Sequence, residues 1–189
     1  MFQTSRLDLR EYRATDLEPL AALWNDDEIQ RLTFASWGIQ PRTKEYYKEE
    51  LINILTKDPS LFAIAEHKET HEFVGFIALR VEAGKNRNGD IGITLKREWW
   101  GNGYGTELLE WIVTHGLKEQ GLHRISLQVF GINERAVEVY RKVGFVEEGR
   151  MRKSNWVAGK WDDIIFMSIL EDEWDIETGK PKQKPGVST

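Results

Sequence analysis

Nine residues constrain this chain more than any others: Trp99-Trp100-Gly101-Asn102-Gly103-Tyr104-Gly105-Thr106-Glu107. A strand-like run, Asp90-Ile91-Gly92-Ile93-Thr94-Leu95, precedes them. A helical stripe of Leu108, Leu109, Ile112, Val113 and Leu117 follows. Three glycines therefore stand at a strand-to-helix turn. Glycine lets the backbone turn left-handed and approach a ligand closely. The first N–H groups of a helix lack intrahelical partners and carry partial positive charge. A pyrophosphate suits such a turn. So does no ligand at all, because short glycine motifs match freely and the same residues serve a plain tight turn.

Two phosphate motifs are excluded. The spacing is G-x-G-x-G and not G-x-G-x-x-G. The acidic residue that a dinucleotide site needs about 20 residues later is missing, because the chain there reads Gly121-Leu122-His123-Arg124. No Gly-Lys-Ser/Thr triplet occurs, so there is no P-loop.

The flanking patterns predict a mixed order of elements, β-α-α-β-β-β-α-β-α-β-β. Leu7 and Leu9 alternate with charged residues as in a half-buried strand. Thr15 and Glu18 have capping-box spacing before Leu17, Leu20, Ala21 and Trp24. Asn25-Asp26-Asp27 marks a break, and a second helix runs from Pro41 through Leu55 to Asp58-Pro59-Ser60. Leu61–Ala65 and Phe73–Leu79 read as a hairpin. The glycine turn opens a helix over Tyr104–Gln120, Ile125 to Val129 follows as a strand, and Asn133 caps a helix that Gly144 ends. Two last strands cover Phe145–Met151 and Ile164–Leu170. Strands in runs with helices between them indicate an α/β chain of the mixed, α+β kind.

At 189 residues the chain reads as one domain, 1–175. Residues 176–189, with Pro181, Pro185 and alternating lysines but little apolar mass, read as a disordered tail. With 26 Lys plus Arg against 31 Asp plus Glu, the net charge is −5, which excludes the basic surplus usual in nucleic-acid binders. The absence of Cys excludes disulfides, thiolate metal sites and a cysteine acyl-enzyme. No segment has the length of apolar sequence a membrane span needs, and the first residues lack the apolar core of a signal peptide, so the expected location is cytoplasmic. His67, His71, His115 and His123 do not cluster, and no metal is expected.

Two motifs in order, the glycine turn and Asn133-x-x-Ala136-x-x-x-Tyr140-x-x-x-Gly144-Phe145, resemble the acetyl-CoA site of the GNAT N-acetyltransferases. The family pattern Q/R-x-x-G-x-G/A is met by Trp100-Gly101-Asn102-Gly103-Tyr104-Gly105, with Trp100 departing at the first position. The Trp-Gly pair and the opening Arg6-Leu7-x-Leu9-Arg10 resemble the branch of ribosomal-protein N-terminal acetyltransferases. The segment Asn133 to Gly149 is also similar to spermidine acetyltransferases. The resemblance spans Arg6 to Trp174 and is most specific over Asp90 to Gly149. It implies a central, mostly antiparallel sheet of six to seven strands, flanked by about four helices and splayed at the cofactor site.

The resemblance also implies roles. Acetyl-CoA is the co-substrate, held by the turn residues Trp100, Gly101, Asn102, Gly103, Tyr104, Gly105 and Thr106. Ile93, Thr94 and Leu95 pair with its pantetheine arm, and an amide near Leu95 donates to the thioester oxygen. Asn133 and Ala136 complete the cofactor site, although Asn133 is also simply a good helix cap. Tyr140 is the general acid for the departing thiolate, whereas by periodicity alone it reads as a core aromatic on the face of Ala136 and Val143. Asp90 is the candidate base for the amine, with Glu66 second and a solvated loop acid as the plain alternative. The region between the first two helices, Trp24-Asn25-Asp26-Asp27-Glu28 through Phe34, Trp37 and Gly38, walls the acceptor site, and Asp26, Asp27 and Glu28 there either attract a cationic amine or end a helix. Trp156 and Trp161 line the acceptor cleft or a dimer contact. The acceptor is a primary amine, either a protein N-terminus or a small molecule such as a polyamine, attacking directly in a ternary complex. A homodimer fits the family; nucleic acid and membrane partners do not fit the composition. Two rival readings remain at this level: a non-catalytic acyl-CoA sensor on the same fold, and a structural interaction protein that binds no CoA.

Overall fold

The computed structural model describes residues 1–33, 39–57 and 61–182, without the side chains of residues 52–57. Expectations that fall on 34–38, on Asp58-Pro59-Ser60 and on 183–189 lie outside the described residues.

Alternation along the chain builds an eight-stranded sheet in the order β1-β2-β3-β4-β5-β6-β8-β7. The strands are β1 (Phe2–Gln3), β2 (Leu7–Arg10), β3 (Leu61–His67), β4 (Phe73–Val81), β5 (Asn88–Leu95), β6 (Arg124–Phe130), β7 (Val146–Val157) and β8 (Lys160–Leu170). The expected six to seven strands become eight through the two-residue β1, too short to show a period. Among the described residues, five α-helices stand where about four were expected: α1 (Leu17–Asn25), α2 (Asp27–Thr33), α3 (Lys44–Lys57), α4 (Tyr104–Lys118) and α5 (Glu134–Val143). The additional one is α2, which starts where a break was expected. Asp26 Oδ1 accepts from the Glu28 and Ile29 amides at 3.0 Å each, so the acids restart a helix after the break.

β3 and β4 divide their side chains between two cores. Ala63, Ala65, Ile77, Leu79, Ile91 and Leu95 pack on one face with Leu108, Leu109 and Ile112 of α4. Ile64 and Phe76 pack on the other with Leu20, Trp24, Ile29, Tyr47 and Leu51 of α1, α2 and α3. α5 packs against α4 through Val137, Tyr140 and Val143.

The strand junctions near the amino end differ from expectation in one respect. Thr15 and Glu18 do not form a capping box. Asp16 instead takes the Arg13 amide at 2.7 Å and a two-pronged bond from Arg10 at 2.8 and 2.9 Å. Arg10 also holds Glu66 at 2.8 Å, in a largely buried cluster.

The expected disordered tail also begins as structure. Residues 176–179 turn, and β10 (Lys180–Pro181) pairs antiparallel with β9 (Trp174–Asp175). Trp174 anchors the hairpin: it is 1% exposed and its indole donates to Thr114 Oγ1 at 3.1 Å. The low apolar content of residues 176–182 misled because one tryptophan carries the contact. β7 and β8 run longer than expected, to a two-residue turn at Ala158 and Gly159, both with positive φ. Among the described residues, no helix is long and apolar enough to cross a membrane.

Candidate active site

Among the described residues, β5 and β6 form the only parallel pairing of the sheet, and it is short. Asn88, Gly89 and Asp90 pair with Arg124, Ile125 and Ser126; beyond Asp90 the strands part. The Lys96 amide donates to Val74 O across β4 at 2.9 Å. Backbone groups alternate sides along a strand. Ile93 and Leu95, beyond the last paired residues, therefore turn their peptide groups toward β6, where no strand meets them. The sheet presents an open edge in its middle, the opening expected at a cofactor site.

The glycine turn closes the top of this opening. Gly101 and Gly103 have φ of 77° and 83°, a left-handed backbone that disfavours any Cβ. Nothing lies within 4 Å of the place a Gly101 Cβ would take, so the turn faces open space there. The first backbone bond of α4 runs from the Glu107 amide to Gly103 O at 3.1 Å. The amides before it are left for a ligand. The residue types and backbone thus fit a diphosphate.

Trp100, the residue that departs from the family pattern, fastens the turn to the strand. Its indole donates to Leu95 O at 2.8 Å, and the Arg135 guanidinium lies 4.9 Å above its ring. The Asn102 and Tyr104 side chains do not line the cleft. Asn102 Nδ2 bonds back to Trp100 O at 3.2 Å, and Tyr104 is buried edge-on to Trp99. These two residues have only their backbone to offer a cofactor.

A cleft of about 1420 Å³ runs from the turn across the splayed strands. Most of the expected site residues meet in it: Asp90, Ile93, Thr94, Leu95, Trp100, Gly101, Gly103, Gly105, Thr106, Asn133, Ala136 and Tyr140 all line it. Asn133 caps α5, its Oδ1 accepting from the Ala136 amide at 3.2 Å. Its Nδ2 has no partner among the described residues. The Tyr140 hydroxyl makes no hydrogen bond to a described residue. Burial pushes this phenol up to about 12, so it keeps its proton at any physiological pH. Burial also raises the Asp90 carboxyl, against the Arg80 charge and a 3.5 Å bond from Ser126 Oγ.

Other expectations are corrected. Glu66 does not line the cleft; Arg10 holds one of its oxygens and His71 Nδ1 lies 3.3 Å from the other. The three acids at the start of α2 are committed. Arg97 pairs with Asp26 and Glu28, and Arg31 with Asp27. Trp156 and Trp161 stack edge-on at 5.2 Å on the β7–β8 turn, more than half exposed and outside the cleft lining.

The acceptor wall expected between the first two helices does line the cleft within the described residues: Trp24, Ile29 and Leu32, with Tyr46, Phe62 and Phe76, form a mostly aromatic flank that also carries Glu28 and Glu50. The sequence reading missed one contributor, Gly75 on β4. A Cβ there would sit 2.1 Å from Thr94 O and 2.8 Å from Leu95 Cα. A glycine inside an apolar strand run is the signal that would have pointed to it.

A family model described as an acetyltransferase (GNAT) domain matches residues 6–146. This chain belongs to the GNAT acetyltransferases. Among its GNAT relatives, the N-acetyltransferase YoaA of Bacillus subtilis is 28% identical over 178 residues, covering 90% of this chain and 97% of that one. The spermidine N(1)-acetyltransferase of Vibrio cholerae is 26% identical over 170 residues, covering 90% and 96%. A crystal structure of spermidine N-acetyltransferase from Vibrio cholerae, in complex with CoA and spermine, superposes with a TM-score of 0.76 at 26% identity, covering 89% of this chain and 97% of that one. The GNAT fold expected from the motifs, and an acetyl-CoA-dependent N-acetyltransferase, are what these matches show.

Proposed function

We propose that the chain acetylates a primary amine directly from acetyl-CoA bound in the β5–β6 opening, with Tyr140 as general acid and Asp90 as base. The observation that carries this reading is the meeting, in one cleft, of the turn amides, an unpaired strand edge and a partnerless phenol. Acetyl-CoA supplies an acetyl thioester. The amides of Gly101 to Thr106 hold its diphosphate, with Trp100 keeping the turn against β5. The peptide groups of Ile93 and Leu95 pair with its arm beside Thr94, and the Leu95 amide donates to the thioester oxygen. Asn133 Nδ2 donates to the same arm, and Ala136 gives it room.

A primary amine near pKa 10.4 is mostly protonated at neutral pH. Asp90, directly or through water, takes the proton the nitrogen must lose. The nitrogen then bonds to the acetyl carbon, the carbon–sulfur bond breaks, the Tyr140 hydroxyl gives its proton to the departing thiolate, and the second proton shed by the nitrogen restores the phenol. The products are an amide and a free thiol. No cysteine is available to carry the acetyl group, so the attack is direct.

The walls favour an amine borne on an apolar body, such as a peptide N-terminus, over a polyamine. Asp26 and Asp27 lie outside the cleft lining, Glu28 lines it already paired with Arg97, and the flank opposite the turn is mostly aromatic with Glu50 beside it. A thiol-release screen across peptides, polyamines and aminoglycosides tests this choice. Release with peptides beginning in Ser, Ala or Thr supports it, and faster release with spermidine overturns it. Desulfo-CoA titrated calorimetrically tests the cofactor site, and absence of heat removes the whole reading. CoA binding without thiol release from any amine would restore the sensor alternative.

A further inference from the structure

Glu107 places a carboxylate in the first turn of α4, beside the amides assigned to the diphosphate. An uncompensated carboxylate at that helix end would repel the ligand. The chain answers it from a segment 101 residues away. The Arg6 amide donates to Glu107 Oε1 at 2.7 Å and its Nε to Oε2 at 2.8 Å, while Thr4 Oγ1 reaches Oε1 at 2.5 Å. Burial alone would raise the Glu107 carboxyl; these bonds hold it below the usual range, so it stays charged and engaged.

The same guanidinium continues onto the turn. Arg6 Nη1 donates to Asn102 O at 2.9 Å, and its carbon lies 4.1 Å from the centre of the Tyr104 ring. A Cβ on Gly103 would meet Arg6 Nη2 at 3.3 Å, so the turn is shaped to admit it. The segment carrying Arg6 is fixed from behind. The Lys68 amide donates to Arg6 O at 3.0 Å, and Lys68 Nζ to Thr4 O at 2.6 Å. Few rotamers satisfy Nε, Nη1 and the ring together.

We propose that Arg6 is a positioning residue for the diphosphate-binding turn: it neutralises the Glu107 carboxylate and fixes the Asn102 carbonyl, so that the turn offers a diphosphate only N–H groups. This rests on the cofactor reading above. Removing the Arg6 guanidinium leaves the Glu107 charge uncompensated near the diphosphate, held only by Thr4 and the residue-6 amide. Removing the Glu107 charge instead removes the repulsive group itself. The two losses are therefore unequal, whereas a bond that only stiffened the fold would be weakened similarly from either side.

Calorimetric CoA affinity of the full chain is measured for wild type, R6Q, E107Q and R6Q/E107Q, at low and high salt, with a thermal melt of each. The expected result is a roughly tenfold weaker affinity in R6Q, the order set by like charges several ångströms apart at a partly hydrated surface. The loss should shrink in high salt, as a charge effect does. E107Q should lose much less, and the double variant should recover part of the R6Q loss. In turnover, R6Q should lower kcat/KM for acetyl-CoA about tenfold more than for S-acetylpantetheine, which has no diphosphate. Equal losses in R6Q and E107Q, or a salt-independent R6Q loss that extends equally to S-acetylpantetheine, would overturn the proposal while leaving the cofactor site standing. Wild-type protein that binds no CoA would remove both. Should R6Q alone melt below the assay temperature, the comparison of E107Q with R6K decides it: R6K keeps the charge without the fork, and affinity equal to E107Q would overturn the role of the Asn102 bond.

Discussion

Gly75→Ala probes the cleft from behind, without touching any group that meets a substrate. The added methyl would lie 2.1 Å from Thr94 O and 2.8 Å from Leu95 Cα. An unbonded carbon–oxygen contact needs more than 3 Å, and both obstacles are backbone, so no rotamer relieves the clash. β4 and β5 must part by about 1 Å at the Gly75–Leu95 pair. Overpacking of this kind costs about 1–3 kcal/mol. At about 2–4 °C per kcal/mol for a chain of this size, the melting temperature should fall by roughly 2–12 °C. The functional cost is larger in proportion, because the displaced residues are Thr94 and Leu95. A misplacement of about 1 Å at a reacting centre costs on the order of 100-fold in rate. Thiol release at saturating acetyl-CoA, measured well below the melting temperature, should show that loss in kcat. The CoA affinity should change less, because the turn is held through Asn102 O by Arg6 as well as through Trp100 by Leu95. An unchanged kcat in a folded variant would refute the link between β4 packing and the assigned strand edge. An equal loss in the control Ile77→Val, a buried residue of the same strand outside the cleft lining, would show only that β4 is fragile.

Three further outcomes follow from the geometry. Gly103→Ala should raise the KM for acetyl-CoA more than Gly101→Ala, because both pay a left-handed backbone cost of about 1–2 kcal/mol but only the first meets Arg6; equal effects in initial-rate kinetics would contradict it. Asp16→Asn should destabilise the fold by about 3 kcal/mol in urea titrations, because it breaks a buried pair and leaves Arg10 with Glu66 alone. Burial favours the neutral Asp16, but the Arg10 and Arg13 bonds outweigh it and hold the carboxyl below its ordinary value; its stabilisation is thus complete at neutral pH and is lost as pH falls below the usual aspartate range, and an acid-unfolding midpoint identical in Asp16→Asn would deny it that role.

The sequence displayed local grammar well and long-range company poorly. The glycine turn, the cap at Asn133 and the stop at Gly144 stand where the residues indicated, because each is decided within a few positions. The splay of β5 from β6 came from the family resemblance, since no periodicity reveals where two strands part. α2 was hidden because its charged start resembles a loop, and its buried Ile29 and Gln30 are too few to set a stripe. The partners of Glu66, of Asp26–Glu28 and of Glu107 were out of reach. Ion pairs such as Arg10–Glu66 and Arg6–Glu107 span 56 and 101 residues, and composition says nothing about which acid meets which base. Trp100 is the instructive case. As a departure from the family pattern it looked like a mark of branch, yet the indole serves as the turn's tether to Leu95.

The assigned acid and base share one physical cause and should respond to pH in opposite senses. Burial disfavours charge on both, raising the Tyr140 phenol to about 12 and the Asp90 carboxyl above its ordinary value. For Tyr140 that is what an acid needs: the proton stays on until a thiolate appears. For Asp90 it makes a stronger base, but one ionised only above its raised pKa, with Arg80 and Ser126 limiting the shift. Rate should therefore climb with pH through the Asp90 titration and show no fall from phenol ionisation up to about pH 11. Asp90→Asn should remove the lower part of that climb and leave CoA affinity intact. Tyr140→Phe should reduce kcat on the order of 100-fold or more at every pH, again with affinity kept. Ultraviolet difference titration of wild type against Tyr140→Phe isolates this one phenol. Titration near the unperturbed value of about 10 would show it to be hydrated, and the burial argument for the acid would fail.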